Sequence, residues 1–132
     1  LLLEHLGIAV RDLTAATDLY RRLLGAEPYK TETVETEKVT TVFFRTGESK
    51  VELLVGTAPD SPISKFIEKK GEGIHHVAFG VPDIRAEMAR LRAEGFELLS
   101  PEPRPGADNK LVCFIHPRSA NGVLVELCQE RE

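Results

Sequence analysis

The sequence predicts an α+β fold made of two tandem βαβββ modules related by pseudo-two-fold symmetry. A duplicated strand is the first observation: His5-Leu6-Gly7-Ile8-Ala9-Val10-Arg11-Asp12 aligns with His76-Val77-Ala78-Phe79-Gly80-Val81-Pro82-Asp83 at a constant offset of 71 residues. The second is that each copy runs into an amphipathic helical stretch with Asp before it and Gly behind it. The third is a pair of apolar strand-like runs, one per copy, each interrupted by one carboxylate: Val51-Glu52-Leu53-Leu54 and Leu124-Val125-Glu126-Leu127, offset by 74. A repeat of this size buries its apolar face best against its twin. Residues 1–132 therefore read as a single domain, with module one over 1–57, a connector helix over 58–71 and module two over 72–132.

Both copies of the first strand alternate with period two, placing Leu6, Ile8 and Val10, or Val77, Phe79 and Val81, on one face and His with Gly or Ala on the other. A strand packed on both faces would carry Val, Ile or Phe there, so the small residues predict a hollow that both histidines face. The first helix runs from Leu13 to Leu24 with Leu13, Ala16, Tyr20, Leu23 and Leu24 at helical spacing, Asp12 as N-cap and Gly25 as the stop. Its counterpart has Asp83 and Gly95 at its ends and Ile84, Met88 and Leu91 as its stripe. The β-branched and aromatic run Val39–Thr46, the turn Gly47-Glu48-Ser49 and the run Lys50–Val55 predict a hairpin. Lys110–Ile115 and Val123–Cys128, joined through His116-Pro117-Arg118-Ser119-Ala120-Asn121-Gly122, predict its twin. Between the modules, Ser61–Lys70 predicts a short helix with Pro62 at its first position and Ile63, Phe66 and Ile67 facing inward. Pro101, Pro103, Pro105 and Gly106 mark a stiff segment that neither a helix nor a central strand accommodates.

A 42% hydrophobic, 29% charged composition is that of an ordinary globular chain, and a net charge of −4 leaves no broad basic surface, which argues against nucleic acid or an anionic membrane as partner. No apolar run approaches the roughly 20 residues of a membrane span. Leu1-Leu2-Leu3 followed by Glu4-His5 lacks the features of a signal peptide, so the expected location is cytoplasmic. Cys113 and Cys128 read as small buried hydrophobes rather than a disulfide.

An ionised carboxylate inside a buried strand is costly unless it is paired, hydrogen-bonded or bound to a cation. Two of them at repeat-related positions, with two repeat-related histidines, define a four-point set: His5, Glu52, His76 and Glu126. Two imidazoles and two carboxylates suit Co²⁺, Mn²⁺, Ni²⁺ or Zn²⁺, and an octahedral ion keeps two positions open for a substrate. His75 has the opposite parity from His76 and reads as a residue that packs or lies at the strand entrance; His116, before Pro117, reads as a residue that touches a ligand or shapes its loop, the loop role being favoured.

The doubled strand-helix-strands unit with His and Glu at these places resembles the vicinal oxygen chelate (glyoxalase/bleomycin resistance/dioxygenase) superfamily, whose cupped mixed sheet holds a metal. Within it the chain is similar to the methylmalonyl-CoA epimerases. That likeness rests on His5–Val10, Asp60–Ile63, Gly71–Phe79, His116-Pro117-Arg118 and Gly122–Leu127 and covers essentially the whole chain. It implies interconversion of the 2R and 2S epimers of an acyl-CoA substrate by proton abstraction next to the thioester, through a metal-stabilised enolate, with Co²⁺ favoured and Mn²⁺, Ni²⁺, Zn²⁺ or Mg²⁺ as other ions. It also implies a homodimer. Glu126 is the first candidate for the base, and Glu52 is a second if it swings off the metal. Lys110, Arg118, Ser119 and Asn121 near the second hairpin turn are candidates to meet the substrate carboxylate or the CoA phosphates. Some epimerases carry a non-ligand glutamate on the strand before the first metal carboxylate, and the aligned residue here is Thr41; besides Glu52, Glu37 and Glu48 are carboxylates that would replace it. A glyoxalase I-type lyase acting on a glutathione hemithioacetal and a non-catalytic ligand-binding protein are the other readings this architecture allows.

Overall fold

The computed structural model describes residues 1–131. Its elements run β1 (Leu2–Ala9), α1 (Leu13–Leu24), β2 (Lys30–Val34), β3 (Val39–Thr46), β4 (Ser49–Gly56), α2 (Pro62–Lys70), β5 (Gly73–Gly80), α3 (Ile84–Ala93), β6 (Arg104–Gly106), β7 (Lys110–Ile115), a 3-10 turn (Pro117–Ser119) and β8 (Val125–Glu130). The chain divides into two compact units, one made of His5–His75 and the other of Leu1–Glu4 with residues 76 onward. The divisions fall inside β1 and β5, between Glu4 and His5 and between His75 and His76.

In the His5–His75 unit the strand order is β2-β3-β4-β1, with β1 parallel to β4 and the other neighbours antiparallel. Alpha-helix α1 begins where Asp12 accepts a hydrogen bond from the Ala15 N–H, 3.0 Å, and stops at Gly25, whose φ of 64° is the left-handed conformation glycine adopts without strain. Leu13, Ala16, Tyr20 and Leu24 pack on Val10, Val42, Phe44 and Leu53. Leu23, expected on that stripe, is instead 67% exposed, because it stands about 100° around the helix from Leu24. On the opposite face of this sheet α2 lays Ile63, Phe66 and Ile67 against Val39, Leu54 and Ala9. Its start is pinned by Ser61, fully buried, which accepts from the Ile63 N–H at 3.1 Å. Gly56 ends β4 directly beneath: a Cβ there would lie 2.0 Å from the Ser64 Oγ and 2.8 Å from the Ser61 Oγ, so only glycine lets helix and strand approach this closely.

In the other unit the order is β5-β8-β7-β6, with β5 parallel to β8 and the hairpin partners antiparallel, so the βαβββ pattern recurs strand for strand. Asp83 caps α3 through the Ala86 N–H, 3.1 Å, and the expected stripe of Ile84, Met88 and Leu91 is buried against Cys113, Ile115 and Leu127. The proline segment 101–106 ends in β6, a three-residue edge strand in which Pro105 faces Leu111; an edge tolerates the missing N–H that a central position would not. Cys113 and Cys128 are buried thiols that are not joined in a disulfide. Beta-strand β8 begins at Val125, two residues later than the apolar run suggests, because Asn121 and Gly122 at positive φ hold the turn open and leave Val123 43% exposed. Among the described residues no helix is long and apolar enough to cross a membrane.

Candidate functional site

Each unit carries one histidine–carboxylate pair, and the strand register shows why. In the first, the parallel register sets Gly7 opposite Glu52, so His5, two residues earlier on β1, shares the Glu52 side of the sheet. The His5 Nδ1 lies 3.1 Å from the Glu52 Oε2, with both side chains less than one tenth exposed. In the second, Ala78 stands opposite Glu126, and the His76 Nε2 lies 3.1 Å from the Glu126 Oε1 with equal burial. The pairs are therefore register-equivalent although their sequence offsets differ. Antiparallel neighbours extend the equivalence, because Phe43 faces Glu52 on β3 and Phe114 faces Glu126 on β7. The Phe114 ring stands edge-on to His76 at 5.8 Å between centroids, which restricts the imidazole.

The donor chemistry of each pair fits a divalent ion. Two neighbouring ligand atoms on an octahedral ion with bonds of about 2.1 Å are roughly 3.0 Å apart, close to the 3.1 Å seen in both pairs. Each imidazole and carboxylate is already stripped of most of its water by the apolar strands that hold it, so little further desolvation stands in the way of binding a cation.

Three charged residues on these faces escaped the sequence reading. Glu4, on β1, is 8% exposed and its Cγ sits 3.4 Å from where a Cβ on Gly80 would be; the small residue on β5 makes room for this carboxylate, not only for a hollow. Lys50, directly opposite His5 in the β1–β4 register, is also 8% exposed. Glu32 faces Thr41 across β2 and β3, half-buried, with the Lys30 Nζ 3.1 Å from its Oε1. Thr41 itself is 2% exposed, with Leu54 as its partner on the other side.

The residues near the second hairpin turn each have an intramolecular task. Lys110 is buried, its Nζ 3.8 Å from a Glu130 carboxylate oxygen and 4.0 Å from Asp108. Arg118, exposed, makes a two-pronged ion pair with Glu97 at 2.8 and 2.9 Å, and this guanidinium holds the Glu97 carboxyl below its ordinary range. The Ser119 Oγ accepts from the Glu97 N–H at 3.0 Å, and Asn121 occupies a left-handed turn position at φ 56°. His116 shapes the turn: its Nδ1 accepts from the Arg118 N–H at 3.1 Å. His75 packs edge-on against Phe66 of α2, 4.9 Å between ring centroids.

Comparison with known proteins joins these features to a family. The model of the Glyoxalase/Bleomycin resistance protein/Dioxygenase superfamily matches residues 4–114. The ethylmalonyl-CoA/methylmalonyl-CoA epimerase of Cereibacter sphaeroides is 44% identical over 129 residues, covering 96% of each chain. The crystal structure of methylmalonyl-CoA epimerase from Mycobacterium tuberculosis superposes with a TM-score of 0.94 at 33% identity, over 98% of this chain and 88% of that one. A variant of the Streptomyces coelicolor methylmalonyl-CoA epimerase in complex with 2-nitronate-propionyl-CoA gives a TM-score of 0.92 at 37% identity, over 98% and 97% of the two chains. With matches of this extent the chain belongs to the glyoxalase/bleomycin resistance/dioxygenase superfamily and, within it, to the family of the methylmalonyl-CoA epimerases.

Proposed function

We propose that this chain is an isomerase that interconverts the 2R and 2S epimers of methylmalonyl-CoA, and that its two units act as one domain. The observation that carries this reading is the register-equivalent pair of buried His–Glu contacts, His5–Glu52 and His76–Glu126, in a chain akin to epimerases over nearly its full length. These four residues would hold one divalent ion, Co²⁺ favoured. When bound, the ion supplies Lewis-acid stabilisation to negative charge developing on the thioester oxygen, with no change of oxidation state.

The chain's own residues do the rest. The carbon between a thioester and a carboxylate is already acidified by both groups, so a carboxylate base suffices to take its proton. Glu126 is that base: it is 6% exposed, and Phe114, its cross-strand neighbour on the same face, limits water around it. Glu52, matched to it by register, holds His5 in place. Exposed Arg118 and Asn121, with Ser119, offer polar groups to the CoA phosphates, whereas Lys110, already engaged by Asp108 and Glu130, contributes positive potential to its face. Expected settings are a homodimer in the cytoplasm.

The test is solvent deuterium incorporation into methylmalonyl-CoA, read by mass spectrometry on Co²⁺-loaded protein beside a chelated control. Rapid metal-dependent exchange with inversion of configuration is expected. Metal-loaded protein that leaves the α-proton untouched, or that instead turns over a glutathione hemithioacetal, overturns the reading.

A further inference from the structure

An acyl-CoA carries its phosphates at the far end of a pantetheine arm, so a protein that takes one needs cationic donors away from the reacting carbon. Resting on the function proposed above, we infer that Arg45 is a phosphate-binding residue of the acyl-CoA site, held ready for its ligand by Tyr29. Every group in the argument belongs to the His5–His75 unit. Arg45, exposed, stands one residue before the end of β3 and faces Lys50 across the β3–β4 pair; Lys50 in turn faces His5 across β4 and β1. The three side chains therefore share one row, on the face that bears Glu52. With strands about 4.8 Å apart, the Arg45 and His5 Cα atoms are about 10 Å apart. The acyl carboxylate is bonded to the reacting carbon and stays beside the His5–Glu52 pair. A guanidinium at the exposed end of the row suits a phosphate instead.

Three observations fit Arg45 to that ligand. Its Cζ lies over the Tyr29 ring, 4.4 Å from the centroid, a stacked guanidinium. Stacking engages the flat face of the group and leaves its N–H fork, which points outward in the plane, for a bidentate anion. Among the described residues none takes a hydrogen bond or ion pair from the Arg45 side chain, whereas Arg21, Arg90 and Arg118 spend theirs on carboxylates. The platform beneath it is fixed as well. The Tyr29 N–H donates to the Phe43 carbonyl at 2.9 Å, and its ring lies 5.8 Å from that of fully buried Phe43. A guanidinium ordered before its ligand arrives pays less entropy on binding. Lys50, 8% exposed, adds a second cation at the next position of the row.

Arg118, by contrast, meets any phosphate with the Glu97 carboxylate 2.8 Å from its Nε, so that part of its charge is already neutralised. Of the two exposed arginines, Arg45 is the one that offers its whole fork.

The experiment titrates malonyl-CoA and malonyl-pantetheine into Co²⁺-loaded wild type, Arg45→Gln, Tyr29→Leu and Tyr29→Phe in a calorimeter. Both probes carry the same thioester and carboxylate, and only the first carries the phosphates and nucleotide. Arg45→Gln is expected to weaken malonyl-CoA about tenfold, the scale of a charge-assisted hydrogen bond, and malonyl-pantetheine less than about twofold. Tyr29→Leu, which frees the guanidinium, is expected to weaken malonyl-CoA about threefold, and Tyr29→Phe, which keeps the ring, is expected to bind it more tightly than Tyr29→Leu. An arginine that only shields the Tyr29 ring from water leaves malonyl-CoA binding of Arg45→Gln within about twofold of wild type, and that result overturns the inference. Equal losses on the two probes, or equal defects in the two Tyr29 variants, overturn it too. Arg45-dependent binding of malonyl-CoA by a wild type that exchanges no α-proton of methylmalonyl-CoA instead sinks the proposed reaction and leaves the phosphate contact standing.

Discussion

Glu126→Gln separates the two tasks assigned to this carboxylate. The Glu126 side chain is 6% exposed, and its Oε1 lies 3.1 Å from the His76 Nε2. In metal-free protein the substitution removes both the cost of burying a charge and the favourable contact with the imidazole. These terms oppose each other, so the free energy of unfolding is expected to stay within about 1 kcal/mol of wild type. With ion at 100 times the wild-type dissociation constant, binding stabilises the wild type by about 2.7 kcal/mol. Losing the charge of a direct ligand is expected to weaken the site about 10- to 100-fold, the range seen even for groups that only support ligands, leaving about 1.4 to 0.4 kcal/mol. At about 4 °C per kcal/mol for a chain of this size, the metal-induced rise in Tm drops from about 11 °C to about 2–6 °C. Differential scanning calorimetry with and without chelator measures both quantities. A Glu126→Gln variant that keeps the full metal-induced rise would refute ligation by this residue, whatever its activity.

Other substitutions probe the scaffold and its edges. Gly56→Ala is expected to destabilise the protein by about 1–3 kcal/mol in urea, since the new methyl lands 2.0 Å from the Ser64 Oγ and 2.8 Å from the Ser61 Oγ, so that these hydroxyls must leave the Ala58 carbonyl and the Ile63 N–H or α2 must shift; an unchanged midpoint would mean that neither the hydroxyl bonds nor the seating of α2 adds to stability. Met88→Ala, at a side chain 1% exposed among Ile84, Leu91 and Cys113, is expected to cost about 2–5 kcal/mol by the same measurement, and a loss under 1 kcal/mol would contradict that packing. The Arg118–Glu97 pair makes an acid-side prediction. Arg118 holds the Glu97 carboxyl below its ordinary value of 4.5, so the pair's contribution is complete above about pH 4.5 and is lost as pH falls through the lowered value. The side-chain carboxyl carbon shift of Glu97 should therefore stay flat down to about pH 4.5 and move only in stronger acid, and a midpoint at or above 4.5 would show that Arg118 does not hold this carboxyl.

The sequence made legible what depends on local chemistry: both helix caps, the alternation of β1 and β5, and the four residues of the two His–Glu pairs. Each leaves a signal within a few residues of itself, such as Asp12 three positions before the amide it caps, or one carboxylate in an otherwise apolar strand. What stayed hidden depends on pairing across strands. The offset of 71 for the histidines and 74 for the glutamates looked like an imperfect repeat. The register cancels the difference by setting Glu52 against Gly7 and Glu126 against Ala78, because the extra residues lie outside the paired strands. Glu4 was masked by the three leucines before it, which promise an apolar strand but are 80, 46 and 42% exposed, while the carboxylate turns inward over Gly80. Glu32 stands in Lys30-Thr31-Glu32-Thr33-Val34, a run with no apolar alternation to announce a strand at all. Its neighbour Thr41 was noticed only as a missing acid. The β2–β3 register puts the Glu32 carboxylate beside that threonine, on the same face of the sheet.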